Sequence, residues 1–372
     1  MNLVQRSHKI RLKPTKAQEI QLSKTAGTAR YAYNWGIDAC ERSYRAGDKH
    51  PSGYDLRKQW VSNHPEWADE VAASCVYSSF LHVDAAYKRF FRERKGHPHF
   101  HKKGVHDSFN VAGDKGKVVG KRVRIPGVGY VKMTEELRFE NAKINSYSIS
   151  RRADQWFVSI QCVVEDTRIE TPEVVGVDVG CKNWAVTSDG AVLKAPEKLA
   201  KLRKRLQRQQ RSLSKKRKGS NNRSKAKLKV AKTYLRIDNI KKDALHKFTT
   251  TVTKSHGTVV VEDLDVRGMR ERGVKSVRKG VQNSDISELL RQLEYKAIRL
   301  VKVDRYFPSS KTCSNCGNVK KDLTLSDRTY HCDSCHTTID RDLNAAKNIL
   351  AEGLRKLNIT VGHTGSVCGC TC

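Results

Sequence analysis

The sequence predicts a multidomain α+β protein: a helical region, a small antiparallel β unit, and an α/β region with a mixed sheet. Three observations carry this. Apolar residues from Leu22 to Tyr44 recur at steps of three and four, the period of one helix face. Short alternating runs then appear between residues 96 and 165. A continuous apolar strand over 174–178 opens the last region and leads into helices alternating with single strands. The 372 residues suffice for two or three domains of ordinary size.

Residues 3–12 read as a short strand. Pro14 and Thr15 then open a helix, with Thr15 and Gln18 at the spacing of a capping box. Leu22, Ala26, Ala29, Tyr33, Ile37, Cys40 and Tyr44 share one face of it. Further helical stretches run to about residue 94, including 79–92, and suggest a bundle with a basic exterior. Strands are expected over 121–125, 129–133, 146–150 and 156–164. His97, His99, His101 and His106 stand at the start of this β unit. They read as a solvated or phosphate-facing strand edge rather than as metal ligands.

From residue 172, strands are expected over 174–178, 184–187 and 191–193, the last two joined by Asp189-Gly190, a two-residue hairpin signal. Between Lys198 and Lys247 stand twenty Lys and Arg against two acids, Asp238 and Asp243. Leu199, Leu202, Leu206 and Leu213 give this stretch partial helical period. So many cations repel one another without counter-charges. The stretch therefore reads as a helix pair lying along a nucleic-acid backbone, with residues 215–222 the loop at its turn. Candidate contacts are Lys201, Arg203, Lys204, Arg205 and Arg208 on the helix, and Lys215, Lys216, Arg217 and Lys218 in the loop.

Charge points the same way. Lys and Arg exceed Asp and Glu by 72 − 39, a net +33. That excess destabilises a compact state unless a polyanion neutralises it, and nucleic acid is the obvious one. No apolar run is long enough for a transmembrane helix, so no membrane partner is expected. The first residues lack the apolar core of a signal peptide. Eleven cysteines, an odd number without a secretion signal, suggest a reducing, cytoplasmic location in which paired Cys-x-x-Cys motifs mean metal.

Cys313, Cys316, Cys332 and Cys335 form two such motifs separated by fifteen residues. Four thiolates close a tetrahedral site, so one structural Zn²⁺ is expected. Residues 308–311 and Arg328 flank the knuckles as candidate phosphate contacts. Cys368, Cys370 and Cys372 read as incidental thiols in a disordered tail. Three carboxylates complete the pattern. Asp178 and Glu262 each end an apolar strand. Asp342 starts a helix, with Ala346 and Ile349 on its face, whereas Asp340 reads as an N-cap that shares the polar face with Asn344 and Lys347. A carboxylate facing a core must be paired, neutralised or metal-bound. Converging, the three acids can hold two Mg²⁺ ions about 4 Å apart for phosphodiester cleavage, one activating water and the other stabilising the leaving oxygen.

Several segments together resemble the TnpB family, transposon-encoded RNA-guided DNA nucleases related to type V CRISPR effectors. They are Val175-Gly176-Val177-Asp178-Val179-Gly180, Val261-Glu262-Asp263-Leu264, the run from Ser309 to Gly317 and the run from Asp340 to Ile349. Arg30-Tyr31-Ala32-Tyr33-Asn34-Trp35 and Glu294-Tyr295-Lys296-Ala297 add to the likeness. The resemblance implies a wedge β-barrel over 1–12 and 96–171 and a helical recognition insert over 13–95. It implies a RuvC-type RNase H-like nuclease domain over 172–307 and 337–360, a zinc finger over 308–336 and a disordered tail over 361–372. It assigns catalysis to Asp178, Glu262 and Asp342. The partners it implies are a transposon-derived guide RNA and target double-stranded DNA bearing a short adjacent motif, in a prokaryotic, nucleoid-associated setting. An RNase H-fold transposase, an RNA-guided binder that does not cut and a non-enzymatic zinc-ribbon RNA binder share parts of this pattern. Retention of all three acids argues against the last two.

Overall fold

A computed structural model describes residues 3–168, 170–324 and 327–364. The chain divides into two compact units, Met1–Asp166 and Thr167–Cys372.

The first unit runs β1 (Leu3–Lys13), α1 (Lys16–Arg45), α2 (Gly53–Asn63), two 3₁₀ turns, α3 (Ser78–Glu93), β2 (Ser108–Ala112), β3 (Lys117–Val119), β4 (Arg122–Ile125), β5 (Gly129–Met133), β6 (Lys143–Arg152) and β7 (Gln155–Glu165). The expected capping box starts α1: Thr15 Oγ1 accepts from the Gln18 N–H at 3.3 Å, and Gln18 Oε1 accepts from the Thr15 N–H at 3.1 Å. The strands form one antiparallel sheet in the order β2-β6-β7-β1-β5-β4-β3. Alternation along β7 buries Trp156, Val158, Ile160 and Cys162 against Leu22, Ala26 and Ala29 of α1. Further along α1, Ala32, Tyr33, Ile37 and Cys40 pack instead with α2 and α3. The end strands β2 and β3 are not paired to each other, so among the described residues the sheet is not a closed barrel.

The histidine segment departs from expectation. Residues 94–107 form no strand. Asn34 takes the backbone hydrogen bonds of His101 instead, accepting its N–H at 2.7 Å and donating to its carbonyl at 3.1 Å. The His101 ring stacks between Tyr33 at 3.8 Å and His106 at 4.3 Å. Burial and the surrounding histidines hold its imidazole down to about 4, which suits an aromatic packing piece better than a solvated edge.

The second unit runs β8 (Val174–Asp178), β9 (Asn183–Thr187), β10 (Val192–Lys194), α4 (Lys198–Ser214), α5 (Asn221–Ser255), β11 (Thr258–Glu262), α6 (Val266–Glu271), α7 (Lys275–Ser284), α8 (Ile286–Lys296), β12 (Arg299–Val303), β13 (Thr329–His331), β14 (Thr338–Asp340) and α9 (Arg341–Thr364). Five strands lie in the order β10-β9-β8-β11-β12. β8 pairs antiparallel with β9 but parallel with β11, and β11 is parallel to β12. The mixed sheet is as expected. The β9–β10 connection is longer than the expected two-residue turn: Thr187 N–H donates to Ala191 O at 2.9 Å across residues 188–190, with Gly190 at φ +94°. Thr187 Oγ1 also donates to the Asp189 carboxylate, which pins the longer loop.

β8 and β11 are apolar at almost every position because both faces of the sheet are covered. Val175, Val177, Val259 and Val261 share a core with α4, α5 and α8. On the other face lies α9, pressed so close that a Cβ on Gly176 would stand 2.2 Å from Ala346 O. α9 continues through residues 361–364, which the sequence reading gave to a disordered tail. Cys368, Cys370 and Cys372 lie outside the described residues. No helix among the described residues is long and apolar enough to cross a membrane.

Candidate functional site

Strand geometry brings two of the acids together. Val177 lies opposite Val261 in the parallel ladder, so Asp178 and Glu262 leave neighbouring strands at the same carboxyl end. Open α/β sheets bind ligands there. Side chains alternate faces along a strand. Val175, Val177, Val259 and Val261 face α4, α5 and α8, while Gly176 and Val260 meet α9 through Ala346, Ile349 and Gly353. Period two therefore puts Asp178 and Glu262 on the α9 side, where the first turn of α9 carries Asp342.

Asp340 and Asp342 separate cleanly. Asp340 is exposed and Oδ1 accepts the N–H groups of Asp342 at 2.9 Å and Leu343 at 3.1 Å; it caps the helix, as expected. Asp342 is 15% exposed and accepts from Asn183 Nδ2 at 2.9 Å, with the Arg341 guanidinium 3.7 Å away. Asp178, Glu262 and Asp342 line one cleft of about 450 Å³, together with Asn183, Ser309, Arg328 and Arg341.

Burial, then the charges of Glu262 and Asp342, push the Asp178 carboxyl up to about 7, with Arg341 opposing. Burial raises Glu262 as well, opposed by the hydroxyl of Ser309, which donates to Oε1. A buried acid whose ionisation two neighbouring carboxylates oppose is an unbalanced arrangement. Hard carboxylate oxygens suit a Mg²⁺-type cation, so the donor set fits one. Among the described residues, however, the one group of three or more Cys, His, Asp or Glu already close enough to share an ion is the cysteine quartet. The acids share the cleft without having closed on a common point.

The quartet does close. Sγ atoms of Cys313, Cys316, Cys332 and Cys335 all lie within 4.8 Å of one another, with Cys313–Cys335 at 3.6 Å and Cys316–Cys332 at 3.5 Å. A tetrahedron of Zn–S bonds of about 2.3 Å requires sulfur separations of roughly 3.8 Å. Gly317 at φ +79° and His336 at φ +55° turn the two knuckles. Donors from Thr337 and Asn315 hold the Cys335 thiol down, which favours the thiolate a metal needs. Fully buried Tyr330 and the half-buried Leu323 and Ile339 form the small core beneath.

Four residues have roles that were not legible in the sequence. Asn183 and Ser309 orient carboxylates. Asn344, expected on a polar face with Asp340, is 0% exposed: Nδ2 donates to Thr312 O at 2.7 Å and Oδ1 accepts from Ser314 N–H at 2.9 Å. Asn348 is buried too. The available signal was two Asn one turn apart among Ala345, Ala346 and Ile349, since amides on an apolar face need partners.

Most of the cations expected to contact nucleic acid are exposed. Lys201, Lys204, Arg205 and Arg208 on α4, Lys215, Arg217 and Lys218 in the turn, and Arg328 by the cleft are exposed. Lys216 is half-buried. Arg203 is half-buried and donates to Asn283 O at 3.3 Å, so its guanidinium serves the fold.

A mixed sheet with acids at its carboxyl end and a ribbon of four cysteines before its last helix defines an α/β domain with an acid-lined cleft. Comparison with known proteins specifies it. Residues 158–273 match the family model described as "Probable transposase", 287–349 the Cas12f1-like TNB domain, and 1–49 a helix-turn-helix domain, although here 3–45 form one strand and one helix. A Streptomyces pristinaespiralis protein named "Putative RNA-guided DNA endonuclease" is 33% identical over 95% of this chain and 90% of its own length. InsQ of Escherichia coli K12, of the same description, is 30% identical over 93% and 91%. A Cas12f1 chain solved with sgRNA and target DNA shares the fold at TM-score 0.56 and 13% identity, over 94% of this chain and 99% of that one. The chain belongs to the TnpB family.

Proposed function

We propose that the protein is an RNA-guided DNA endonuclease of an insertion-sequence transposon, cutting DNA with Asp178, Glu262 and Asp342 in a Mg²⁺-dependent RuvC-type centre. The observation that carries this is the convergence of those acids, from β8, β11 and α9, on one cleft. The mixed five-stranded sheet and the length over which the named relatives match support it. On this reading residues 172–307 and 337–360 are the nuclease domain, 308–336 a zinc finger, 1–12 and 96–171 the wedge, and 13–95 the recognition insert. Guide RNA and target duplex are the polyanions that offset the net charge of +33.

Each residue then has a task. Asp178, Glu262 and Asp342 offer carboxylate oxygens to the cation pair. Bound there, two Mg²⁺ ions supply Lewis acidity for in-line displacement at a phosphodiester. Asn183 fixes the rotation of Asp342 and Ser309 that of Glu262. Arg328 and Arg341, at the same cleft, bring positive charge beside a bound phosphate.

The test uses the full chain co-purified with its RNA. Sequencing that RNA should return one defined species. A plasmid carrying the matching target should be cut with Mg²⁺, and neither the RNase-treated protein nor Asp178→Ala should cut it. Cleavage of transposon ends by RNase-treated protein would instead support the transposase reading.

A further inference from the structure

We infer that Asn344 and Asn348 are positioning residues of the cleavage centre: through the backbone of residues 309–314 they seat Ser309 against Glu262 and lock the first zinc knuckle onto the helix that carries Asp342. The inference rests on the cleft being a nuclease centre.

Asn344 and Asn348 lie one turn apart on α9 and are 0% and 5% exposed. Buried amides carry a desolvation cost unless hydrogen-bonded. All their partners lie on one short stretch. Asn348 Nδ2 donates to Ser309 O at 2.7 Å and to Thr312 O at 2.6 Å. Asn344 donates to the same Thr312 O and accepts from the N–H of Ser314, beside zinc ligand Cys313. Ser309, 6% exposed, passes the restraint on through its hydroxyl to Glu262 Oε1. α9 thus carries Asp342 itself, restrains Glu262 through Ser309 and holds the ribbon through Ser314. A purely structural staple would not end on a carboxylate oxygen of the cleft.

The experiment uses the full chain with its guide RNA and the variants Ser309→Ala, Asn348→Ala and the double. Mn²⁺ binding is read by titration calorimetry, Mg²⁺ half-saturation and kcat by plasmid cleavage, and zinc by metal analysis. Removing a hydrogen-bond partner of a metal-binding carboxylate typically weakens the metal roughly 10- to 100-fold. Ser309→Ala should weaken Mn²⁺ and raise the Mg²⁺ half-saturation within that range, keeping one zinc per chain and full DNA binding. Asn348→Ala should do the same. The double should be no worse than the larger single, because both break one chain of contacts. Unchanged Mn²⁺ affinity in Ser309→Ala overturns the inference, as do multiplicative effects in the double. Should Asn348→Ala fail to fold, Asn344→Ala takes its place, with the same weakening expected and unchanged Mn²⁺ affinity overturning the inference. If the wild type cuts no DNA, the functional reading fails while the Mn²⁺ titration still judges the clamp.

Discussion

Asp340 and Asp342 stand two residues apart and serve different ends. Asp340 faces solvent and satisfies the first N–H groups of α9. Its replacement by Ala removes a cap, a loss of about 0.5–2 kcal/mol, so D340A should melt earlier yet still cut DNA. D342A should fold and bind RNA and DNA but not cut; thermal melting and a cleavage assay on the pair separate the two roles. At this scale the sequence was informative where chemistry and period agree. Asp178 and Glu262 end continuous apolar strands, and Ala346 and Ile349 mark the inward face of Asp342. It was uninformative for Asn183, Ser309, Asn344 and Asn348, whose partners lie 30 to 159 residues away. An amide or hydroxyl carries no periodic signature of such a partner.

Helix α9 organises the site because it can approach β8 at Gly176. A side chain there would strike the backbone at Ala346 and Leu350. Overpacking of this kind typically costs about 1–3 kcal/mol, so Gly176→Ala should lower the melting temperature and shift Asp342 away from Asp178; calorimetry and cleavage rate should fall together. The four-cysteine ribbon is a separate element whose small apolar core needs a metal to hold it. Cys332→Ser or a strong chelator should take zinc from one per chain to none and unfold residues 311–340, read by metal analysis and by hydrogen exchange. Elements with a capping signal or a helical period were legible, such as α1 with its Thr15–Gln18 box and the α4–α5 pair with its leucine spacing. β2 and β3, five and three residues long, carried no such signal. The histidine segment misled because alternation resembles a strand when the actual partners are the ring of Tyr33 and the side chain of Asn34.

At the scale of the molecule, charge dominates. The exposed cations of α4 and its turn should each release counterions on binding. Replacing Lys204, Arg205, Arg208 and Lys215 with Gln should flatten the plot of log affinity against log salt by roughly 0.7–0.9 per lost phosphate contact. An unchanged slope would place the nucleic acid elsewhere. Net charge was plain in the composition, whereas the openness of the first-unit sheet was not, because strand order depends on pairings far apart in sequence.

If Asp178, Glu262 and Asp342 jointly hold the ions that cut DNA, anomalous diffraction from Mn²⁺-soaked crystals of the guide- and target-bound protein should show it. Two peaks about 3.5–4 Å apart are expected, each bound by at least one of these carboxylates, and both should vanish in D178A. No Mn²⁺ at the three acids, or Mn²⁺ held by other residues while DNA is still cut, would contradict it.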